Sequence, residues 1–526
     1  GGFVWGGYLL WISLILIAIA CKKEKTTWNS EWNTPLVHGR MTINDLVPDE
    51  NVIENSDNYA SLVYHDTIYS FLIDTLIKLP DTSLVQKAVS SFPNLTLAPG
   101  NLITSLGIDQ LYDLGQIELK RVKIKEGTAI ITILSPWQGK SKVEFSFPKT
   151  TDNNGDVFAK EYILPAGSQS NPSTISETID MAGFDFDLTG SDGTLFNNIT
   201  ADAYIKSAEE TVSFVVTNTD TVTIGIEFKD MKPNYAKGYF GEYILSDQTS
   251  VSIVQMKKII AGSILLDSIN LDLSVRNGFK MVTQATFNQI DGINSNTTNL
   301  VSLTFPQLNN TININSATGG SYDYVPSLYN LPINSSNSNV LAFIENLPDS
   351  IIIDYTIHLN PFSNSTAGDD EYFPNSSLDL YLDGEFPLKF AADELSLIDT
   401  VDISFSQNDN LIVEKGTITL NYQNGFPFSS DLTLSLLDIN GVTLEIISPH
   451  STVNSGTYDS STGLTSPYSG ALVFNLSEET IQNLEEATKM IVNVRFSTDQ
   501  SNSVKINIDD FFDFNLYSDL NLQFKI

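Results

Sequence analysis

The chain has 526 residues, which is too long for one typical domain and predicts two to four folding units, each able to bury its own core. Hydrophobic residues make up 41% and aromatic residues 10% of the chain, too much apolar material for a disordered protein. The 28 Lys and Arg against 63 Asp and Glu give a net charge of −35, which repels phosphate backbones and argues against a nucleic-acid partner. Such a carboxylate excess either keeps an exported surface soluble, the favoured reading, or collects divalent cations.

Cys21 is the only cysteine, so the rest of the chain has no disulfide, thiolate metal site or cysteine nucleophile. It follows the uncharged apolar stretch 8–20, YLLWISLILIAIA, which has the length and small-residue end of a signal peptide. Ala18-Ile19-Ala20-Cys21 is similar to a lipobox, the site at which a bacterial cysteine is acylated. Residues 1–21 are therefore predicted to be a lipoprotein signal peptide with a lipidated Cys21, and a retained transmembrane anchor is the alternative.

Residues 22–46 are polar and without period until their end, which predicts a tether. Trp28 and Trp32 lie in this segment, where they either contact the membrane interface or a partner or pack back on the first domain. Residues 47–118 have mixed patterns and are assigned to an N-terminal mixed module.

Beyond residue 118 apolar and polar residues alternate between Gly, Asn, Asp, Ser and Pro, which predicts half-buried antiparallel strands. The alternation continues to the carboxyl end at 520–526 and predicts a paired strand there. Helix patterns are few: Ser477 is an N-cap candidate for a helix at 477–489, and a second short helix is predicted at 338–346.

Three triplets, Ser135-Pro136-Trp137, Asn277-Gly278-Phe279 and Asn424-Gly425-Phe426, recur with apolar residues at matched offsets around them. We expect each to connect two antiparallel strands of a similar module. The predicted modules are 119–262, 263–408 and 409–526, each a β-sandwich of immunoglobulin-like or related type. Chance recurrence of Asn-Gly, a common hairpin signal, is the alternative.

The Cys-Lys-Lys-Glu start at Cys21, the Trp-containing tether and the β-rich modules with turns such as Asn424-Gly425-Phe426 together resemble the uncharacterised lipoproteins of Bacteroidota. The resemblance covers most of the chain and rests on pattern. It implies an outer-membrane lipoprotein, on either the periplasmic or the cell-surface side, and it carries no catalytic residue.

Motifs for chemistry are few. The four histidines form no local metal-binding pair, and HExxH, GxSxG, Walker and dinucleotide-binding patterns do not occur. Asp185, Asp187 and Asp192 are weak candidates for calcium ligands, although a strand followed by a turn explains them better. No cofactor is expected beyond this possible Ca²⁺.

Aromatic residues at predicted turns are the candidate ligand contacts: Trp137, and Tyr239, Phe240 and Tyr243 in the segment GYFGEY. Exposed aromatic rings stack on sugars, while core packing is the commoner role of any one of them. The favoured function is a membrane-anchored binding or scaffold protein for a glycan or an envelope protein partner. An envelope hydrolase with an unrecognised acidic site is the alternative, so enzymatic activity is left open and is the less favoured reading.

Overall fold

The computed structural model describes residues 27–43, 51–55, 59–72, 79–90, 93–320, 324–407, 411–499 and 502–525. Cys21, the apolar stretch before it and the first residues of the predicted tether lie outside this set. The described chain is mainly β, with antiparallel sheets and few helices, as the alternation predicts.

The strands and helices are as follows in chain order. The first are β1 Thr27–Thr42, β2 Val52–Glu54, β3 Ala60–Leu72, β4 Thr82–Val89, β5 Leu95–Leu97, β6 Leu102–Leu111, β7 Glu118–Ser135, β8 Ser141–Thr151, β9 Val157–Leu164, β10 Ser173–Asp180, β11 Asp185–Asp187, β12 Asn198–Ser207, β13 Phe214–Val216 and β14 Thr221–Tyr239. Next come β15 Tyr243–Ser252, a 3₁₀ turn Val254–Lys258, β16 Ile259–Leu266, β17 Asn270–Asn277, β18 Thr283–Asn294, β19 Asn299–Ser302, β20 Ile312–Ile314, β21 Ser327–Asn334, α1 Val340–Glu345, β22 Ser350–Leu359, β23 Asp370–Tyr372 and β24 Ser377–Pro387. The last are β25 Lys389–Asp402, β26 Leu411–Asn424, β27 Phe428–Leu437, β28 Thr443–Ile447, β29 Thr457–Asp459, β30 Leu464–Ser466, β31 Tyr468–Leu476, α2 Glu478–Glu486, β32 Lys489–Thr498, β33 Val504–Lys505 and β34 Phe511–Lys525.

Three modules repeat one strand topology. The first strand of the pattern is β7 in module 1, β17 in module 2 and β26 in module 3, and it pairs with β14, β24 and β34 in that order. The next strand along the chain is β8, β18 or β27, and it pairs with β12, β22 or β32. Strands β12, β22 and β32 pair on their other side with β6, β15 and β25 in the same order. Each module therefore contains a strand that precedes the boundary predicted at 119, 263 or 409, since β6, β15 and β25 begin earlier in the chain.

The three triplets occupy equivalent positions between the first two strands of these modules. Asn277 Oδ1 accepts the N–H of Phe279, and Asn424 Oδ1 accepts the N–H of Phe426, both at 2.9 Å. The carbonyl of the third residue accepts a backbone N–H in every case, within 2.7–2.9 Å, from Gly167 to Trp137, from Ala317 to Phe279 and from Gly456 to Phe426. Ser135 takes the place of the asparagine in module 1, where its hydroxyl bonds Ser141 instead.

The N-terminal segment does not form the tether and separate module that the sequence predicts. Strand β1 pairs with β34 in module 3, β3 pairs with β24 in module 2, and β4 pairs with β14 in module 1. The described strands of this segment are therefore shared among the three modules: β1 belongs to module 3, β2 and β3 to module 2, and β4 and β6 to module 1. Trp32, on β1, is 52% exposed.

Polar contacts and backbone hydrogen bonds join neighbouring modules, and modules 1 and 2 are also joined by apolar packing. Between modules 1 and 2, Glu371 accepts hydrogen bonds from Tyr235 at 2.8 Å and from Lys280 at 2.7 Å. Between modules 2 and 3, the N–H of Ala60 donates to the carbonyl of Ile506 at 2.9 Å. Modules 1 and 2 share one apolar core, whereas module 3 has its own around Tyr422, Leu436, Leu472 and Phe474.

Both predicted helices are present in shorter form. Ser477 caps α2, because its hydroxyl accepts the N–H of Thr480 at 3.0 Å and satisfies one of the free donors of the first turn. Acidic Glu478 and Glu479 lie in that first turn, where the helix dipole favours them. No helix in the described part of the chain is long and apolar enough to cross a membrane.

Candidate ligand-binding face of module 3

Two of the four aromatic residues predicted to contact a ligand are buried in the core. Trp137 is 1% exposed and Phe240 is 2% exposed, so neither ring presents a face for stacking. The prediction fails for these two residues because their turns fold back onto the sandwich and their rings fill its core. Tyr239 and Tyr243 are half-buried, and Tyr243 packs against the same core.

The three candidate calcium ligands are engaged separately. Asp185 accepts two hydrogen bonds from the Arg121 guanidinium, at 2.9 and 2.7 Å. Asp187 accepts the N–H of Thr189 at 2.9 Å. Hydrogen bonds from Thr194 hold the pKa of Asp192 below its ordinary value. Within the described residues, no group of three or more His, Cys, Asp or Glu side chains is placed to hold a metal ion.

A polar surface that the sequence did not single out covers the outer side of the sheet β1-β34-β26-β31 in module 3. Directly paired residues of antiparallel strands project to the same side, so the register defines this surface, as in the row Asn33, Asp519, Thr417 and Asn475. The opposite side holds Tyr422 and its apolar neighbours in the module 3 core. We call the outer surface the amide face, and its members are Glu31, Asn33, His38, Arg40, Lys415, Thr417, Thr419, Asn421, Gln423, Ser469, Ala471, Val473, Asn475, Asp513, Asn515, Tyr517, Asp519 and Asn521.

One end of the amide face is concave. A cavity of about 420 Å³ opens there, large enough for one or two sugar-sized rings. It mixes two carboxylates, one ammonium group, amides and hydroxyls, contributed by Glu31, Lys415, Thr417, Asn475, Ser477, Asp519 and Asn521.

Several polar side chains of β34 on the amide face have hydrogen-bond donors and acceptors that no described residue uses. In the part of the chain that the structure describes, the side chains of Asn515, Tyr517, Asp519 and Asn521 make no hydrogen bond or ion pair. Bonds occur at the rim, where Asn475 donates to His450 at 2.7 Å and His38 lies 3.7 Å from Asp513. The centre can therefore bond a ligand without first breaking protein contacts.

Asparagine is depleted in β-strands, because its short polar side chain favours turns. Five asparagines nevertheless share the amide face: Asn33, Asn421, Asn475, Asn515 and Asn521. Strand formation does not account for this concentration. Amides both donate and accept hydrogen bonds, which suits the hydroxyl groups of a sugar.

Tyr517 lies in the middle row of the amide face, between Pro35 on β1 and Thr419 on β26. Tyr517 is half-buried, so part of its side chain is accessible on the amide face. An aromatic ring beside amides and a carboxylate is a combination that binds both the apolar face and the hydroxyl edge of a sugar.

The signal for this surface was present in the sequence as the alternation of β34, in which Asp513, Asn515, Tyr517, Asp519 and Asn521 separate the core residues. Alternation alone predicts only a solvated face. The pairing of β34 with β1, nearly 500 residues earlier in the chain, is what assembles the face.

No protein-family model and no curated protein matches the chain. Among solved structures, a protein of Parabacteroides distasonis described as a "putative secreted protein" aligns with 94% of this chain and 99% of its own at 12% identity, with a TM-score of 0.27. The structure of Sulfolobus turreted icosahedral virus aligns with 84% of this chain and 90% of its own at 12% identity and a TM-score of 0.12. The VP2 subviral particle of infectious bursal disease virus aligns with 91% and 86%, at 9% identity and a TM-score of 0.11. At such TM-scores these alignments carry no argument about fold or function.

Proposed function

We propose that the chain is an outer-membrane lipoprotein, acylated at Cys21, that binds a neutral glycan on the amide face of module 3. The observation that carries the binding proposal is the set of unengaged side chains around Tyr517: two amides, a carboxylate and an aromatic ring on a rigid sheet. A site on paired strands holds its groups in place without an ordering cost at binding.

The charge of the cavity and of the whole chain indicates which glycans the amide face can bind. The cavity contains Glu31 and Asp519 against Lys415 alone, and the whole chain carries −35. A polyanionic glycan would therefore be repelled over the whole approach to the site. Neutral glycans, or those with amino groups, fit the charge.

The binding proposal is tested by replacing Tyr517 with Ala and comparing migration in native gels cast with mannan, xylan or a β-glucan. We expect retardation of the unaltered protein in at least one gel, and a loss of affinity of roughly tenfold in Tyr517→Ala, since an aromatic contact contributes about 0.5–1.5 kcal/mol beyond the area that it buries and about 1.4 kcal/mol is tenfold in affinity. Tyr468→Ala is the matched control, because Tyr468 is an exposed tyrosine of the same sheet outside the amide face. Equal loss in both variants, or retardation in none of the gels, would argue against the glycan site.

The anchor is tested separately, by replacing Cys21 with Ser and following radiolabelled palmitate. The label is expected on the unaltered protein and not on Cys21→Ser, because Cys21 is the only thiol in the chain. Unchanged labelling of the variant would remove the lipoprotein proposal and leave the glycan site standing.

A further inference from the structure

The first and last strands of the chain leave module 3 at the same end. Thr27, the first residue of β1, pairs with Lys525 of β34. Cys21 precedes Thr27 by six positions (27 − 21), which spans at most about 20 Å of extended chain. We call this the anchor end of module 3. Module 2 contacts the opposite end, where Ile506 bonds Ala60.

The turn between β27 and β28, residues 438–442, also lies at the anchor end. Strand β26 begins at this end and runs away from it, and the connection from Asn424 to Phe428 returns β27 toward it. At the end of β27 the N–H of Thr488 donates to Leu437, and the N–H of Ile403 donates to Thr488. Gln407, four residues further on, bonds the N–H of Val413 near the start of β26.

This turn exposes two aliphatic side chains. Ile439 is 83% exposed and Val442 is 60% exposed, among the highest values for large apolar residues in the described chain. The turn itself is well ordered, because Asp438 Oδ1 accepts the N–H groups of Asn440 at 2.9 Å and Val442 at 2.7 Å. Ile439 and Val442 are thus held at the tip of a rigid hairpin.

The equivalent turns of the other modules are also closed by an Asp or Asn side chain that accepts two backbone N–H groups, but their tips are polar. In module 1, Asp152 Oδ1 accepts the N–H groups of Asn154 and Asp156 at 2.7 and 3.0 Å. In module 2, Asn294 Oδ1 accepts the N–H groups of Asn296 and Thr297. The residues in these turns are Asp152, Asn153, Asn154, Gly155 and Asp156 in module 1, and Asn294, Ser295, Asn296, Thr297 and Thr298 in module 2. The turn therefore does not need aliphatic residues in order to fold, and it carries them only in the module next to Cys21.

We propose that the 438–442 hairpin tip inserts Ile439 and Val442 into the interfacial region of the lipid bilayer, as a second contact beside the acyl group. The inference rests on the proposed acylation of Cys21, which brings the anchor end to the membrane. The lipid on a lipobox cysteine carries two acyl chains and holds the chain at the bilayer, but the linker after Cys21 leaves module 3 free to rotate. A second contact on the module itself fixes its orientation. Modules 2 and 1 are then directed away from the bilayer.

The charge at the anchor end is mixed. Helix α2 lies at this end and exposes Glu478, Glu479 and Glu486. Lys415 and Lys489 are exposed cations at the same end, and three lysines follow Cys21 in the sequence. The aliphatic tip is therefore expected to enter both zwitterionic and anionic bilayers.

The test uses the acylated full-length protein in vesicles of phosphatidylethanolamine and phosphatidylcholine. Ile439→Cys is labelled with an environment-sensitive fluorophore, and nitroxide-bearing lipids serve as quenchers. We expect blue-shifted emission that shallow nitroxide lipids quench, whether or not phosphatidylglycerol is added to the vesicles. Asn153→Cys is the matched control, because Asn153 holds the same position in the polar turn of module 1. The emission of its probe is expected to remain that of a probe in water and not to be quenched by nitroxide lipids.

Two outcomes would overturn the inference while the anchor stands. In the first, palmitate labels Cys21 but the emission of the probe at Ile439→Cys is no more blue-shifted than that of the probe at Asn153→Cys. In the second, the emission at Ile439→Cys is blue-shifted but nitroxide lipids do not quench it, which would indicate that a protein partner covers the tip. If Cys21 takes no palmitate, the anchor proposal fails by itself, and quenching at Ile439→Cys in a Cys21→Ser background still decides whether the tip meets lipid.

Discussion

The outer sheet faces of modules 2 and 3 are equivalent surfaces that use their polar side chains in opposite ways. In module 2, Asp379 accepts hydrogen bonds from Arg276 at 2.9 Å and from Ser70 at 2.6 Å. His65 bonds Asp383 at 2.5 Å and stacks on Tyr381, with 5.6 Å between ring centroids. These side chains bond one another across β3, β24 and β17 and stabilise the sheet.

On the amide face of module 3, the corresponding side chains of β34 do not bond one another across the described chain. The same topology, register and strand polarity therefore produce a closed network in one module and an open set of donors and acceptors in the other. Polar groups that are already paired add stability, whereas groups left open contribute little to folding and are free for a ligand.

Arg276→Ala gives the largest expected effect, a loss of about 2–3 kcal/mol from the stability of module 2. Its partner Asp379 is buried, with 7% of its side chain exposed, and would lose the one cation that contacts it among the described residues. The expected loss is somewhat smaller than for a fully buried ion pair, because Arg276 is one-third exposed. The loss is measured by hydrogen exchange of the β17 and β24 amides, which reports the stability of module 2 itself. A single unfolding free energy is not defined for a chain of several modules.

Lys415→Ala is the control for Arg276→Ala, because Lys415 is a cation on the equivalent face of module 3 and makes no ion pair in the described chain. Exchange of the β26 and β34 amides is expected to change by less than about 0.5 kcal/mol. A large loss in Lys415→Ala would show that the amide face is a structural network after all.

Asp510 in module 3 and Asp379 in module 2 are expected to contribute to the acid response in opposite directions. Burial raises the pKa of Asp510, just before β34, to about 6, although hydrogen bonds from Asn507 oppose the shift. A carboxyl whose folded pKa is raised stabilises the fold when protonated, so module 3 gains stability as pH falls from about 6 to 4 and loses it as pH rises. Burial would also raise the pKa of Asp379, but hydrogen bonds from Ser70, Ser377 and Arg276 hold it below its ordinary value. Module 2 therefore loses the Asp379 contribution only below about pH 4.

Asp510→Asn isolates the module 3 part of this response. The amide oxygen can still accept the N–H of Asn507, and the buried charge is gone, so we expect up to about 2 kcal/mol more stability at pH 7 and a flat profile between pH 4 and 6. Hydrogen exchange of β34 at pH 5 and pH 7 checks it. A variant that keeps the wild-type pH dependence would assign the response to another group.

The sequence predicted what is local and missed what depends on distant partners. Alternation located β34, an N-cap motif located α2, and the Asn-Gly-Phe triplets marked equivalent turns, because each is decided within a few residues. The pairing of β1 with β34 was not predicted, since a strand's own pattern says nothing about its neighbour. For the same reason the sequence does not decide whether Trp137 is exposed, and it does not single out the side chains around Tyr517.

Replacing strand asparagines of the amide face is expected to raise stability slightly and to weaken ligand binding. In Asn421→Thr with Asn515→Thr, each exchange puts a β-branched residue where no hydrogen bond is lost, for a gain of about 0.5 kcal/mol per site. Hydrogen exchange of β26 and β34 gives the stability, and retardation in the polysaccharide gels gives the affinity. If both quantities stay unchanged, these asparagines are not the part of the face that meets the ligand.

Calcium is expected to have the smallest effect, because neither face is built to hold it. In module 2 the carboxylates of Asp379 and Asp383 are already engaged by Arg276 and His65. In module 3, Glu31 and Asp519 are the two carboxylates that line the cavity, fewer than the oxygen ligands that a specific calcium site requires. Thermal melting with calcium and with chelator should differ by a few degrees at most. A rise of more than about 10 °C corresponds to several kcal/mol of binding energy and would reveal a specific site. Glu31→Gln with Asp519→Asn then shows where it lies: loss of the rise would place the ion on the amide face and make that face a cation-dependent binding surface, whereas an unchanged rise would place it elsewhere in the chain.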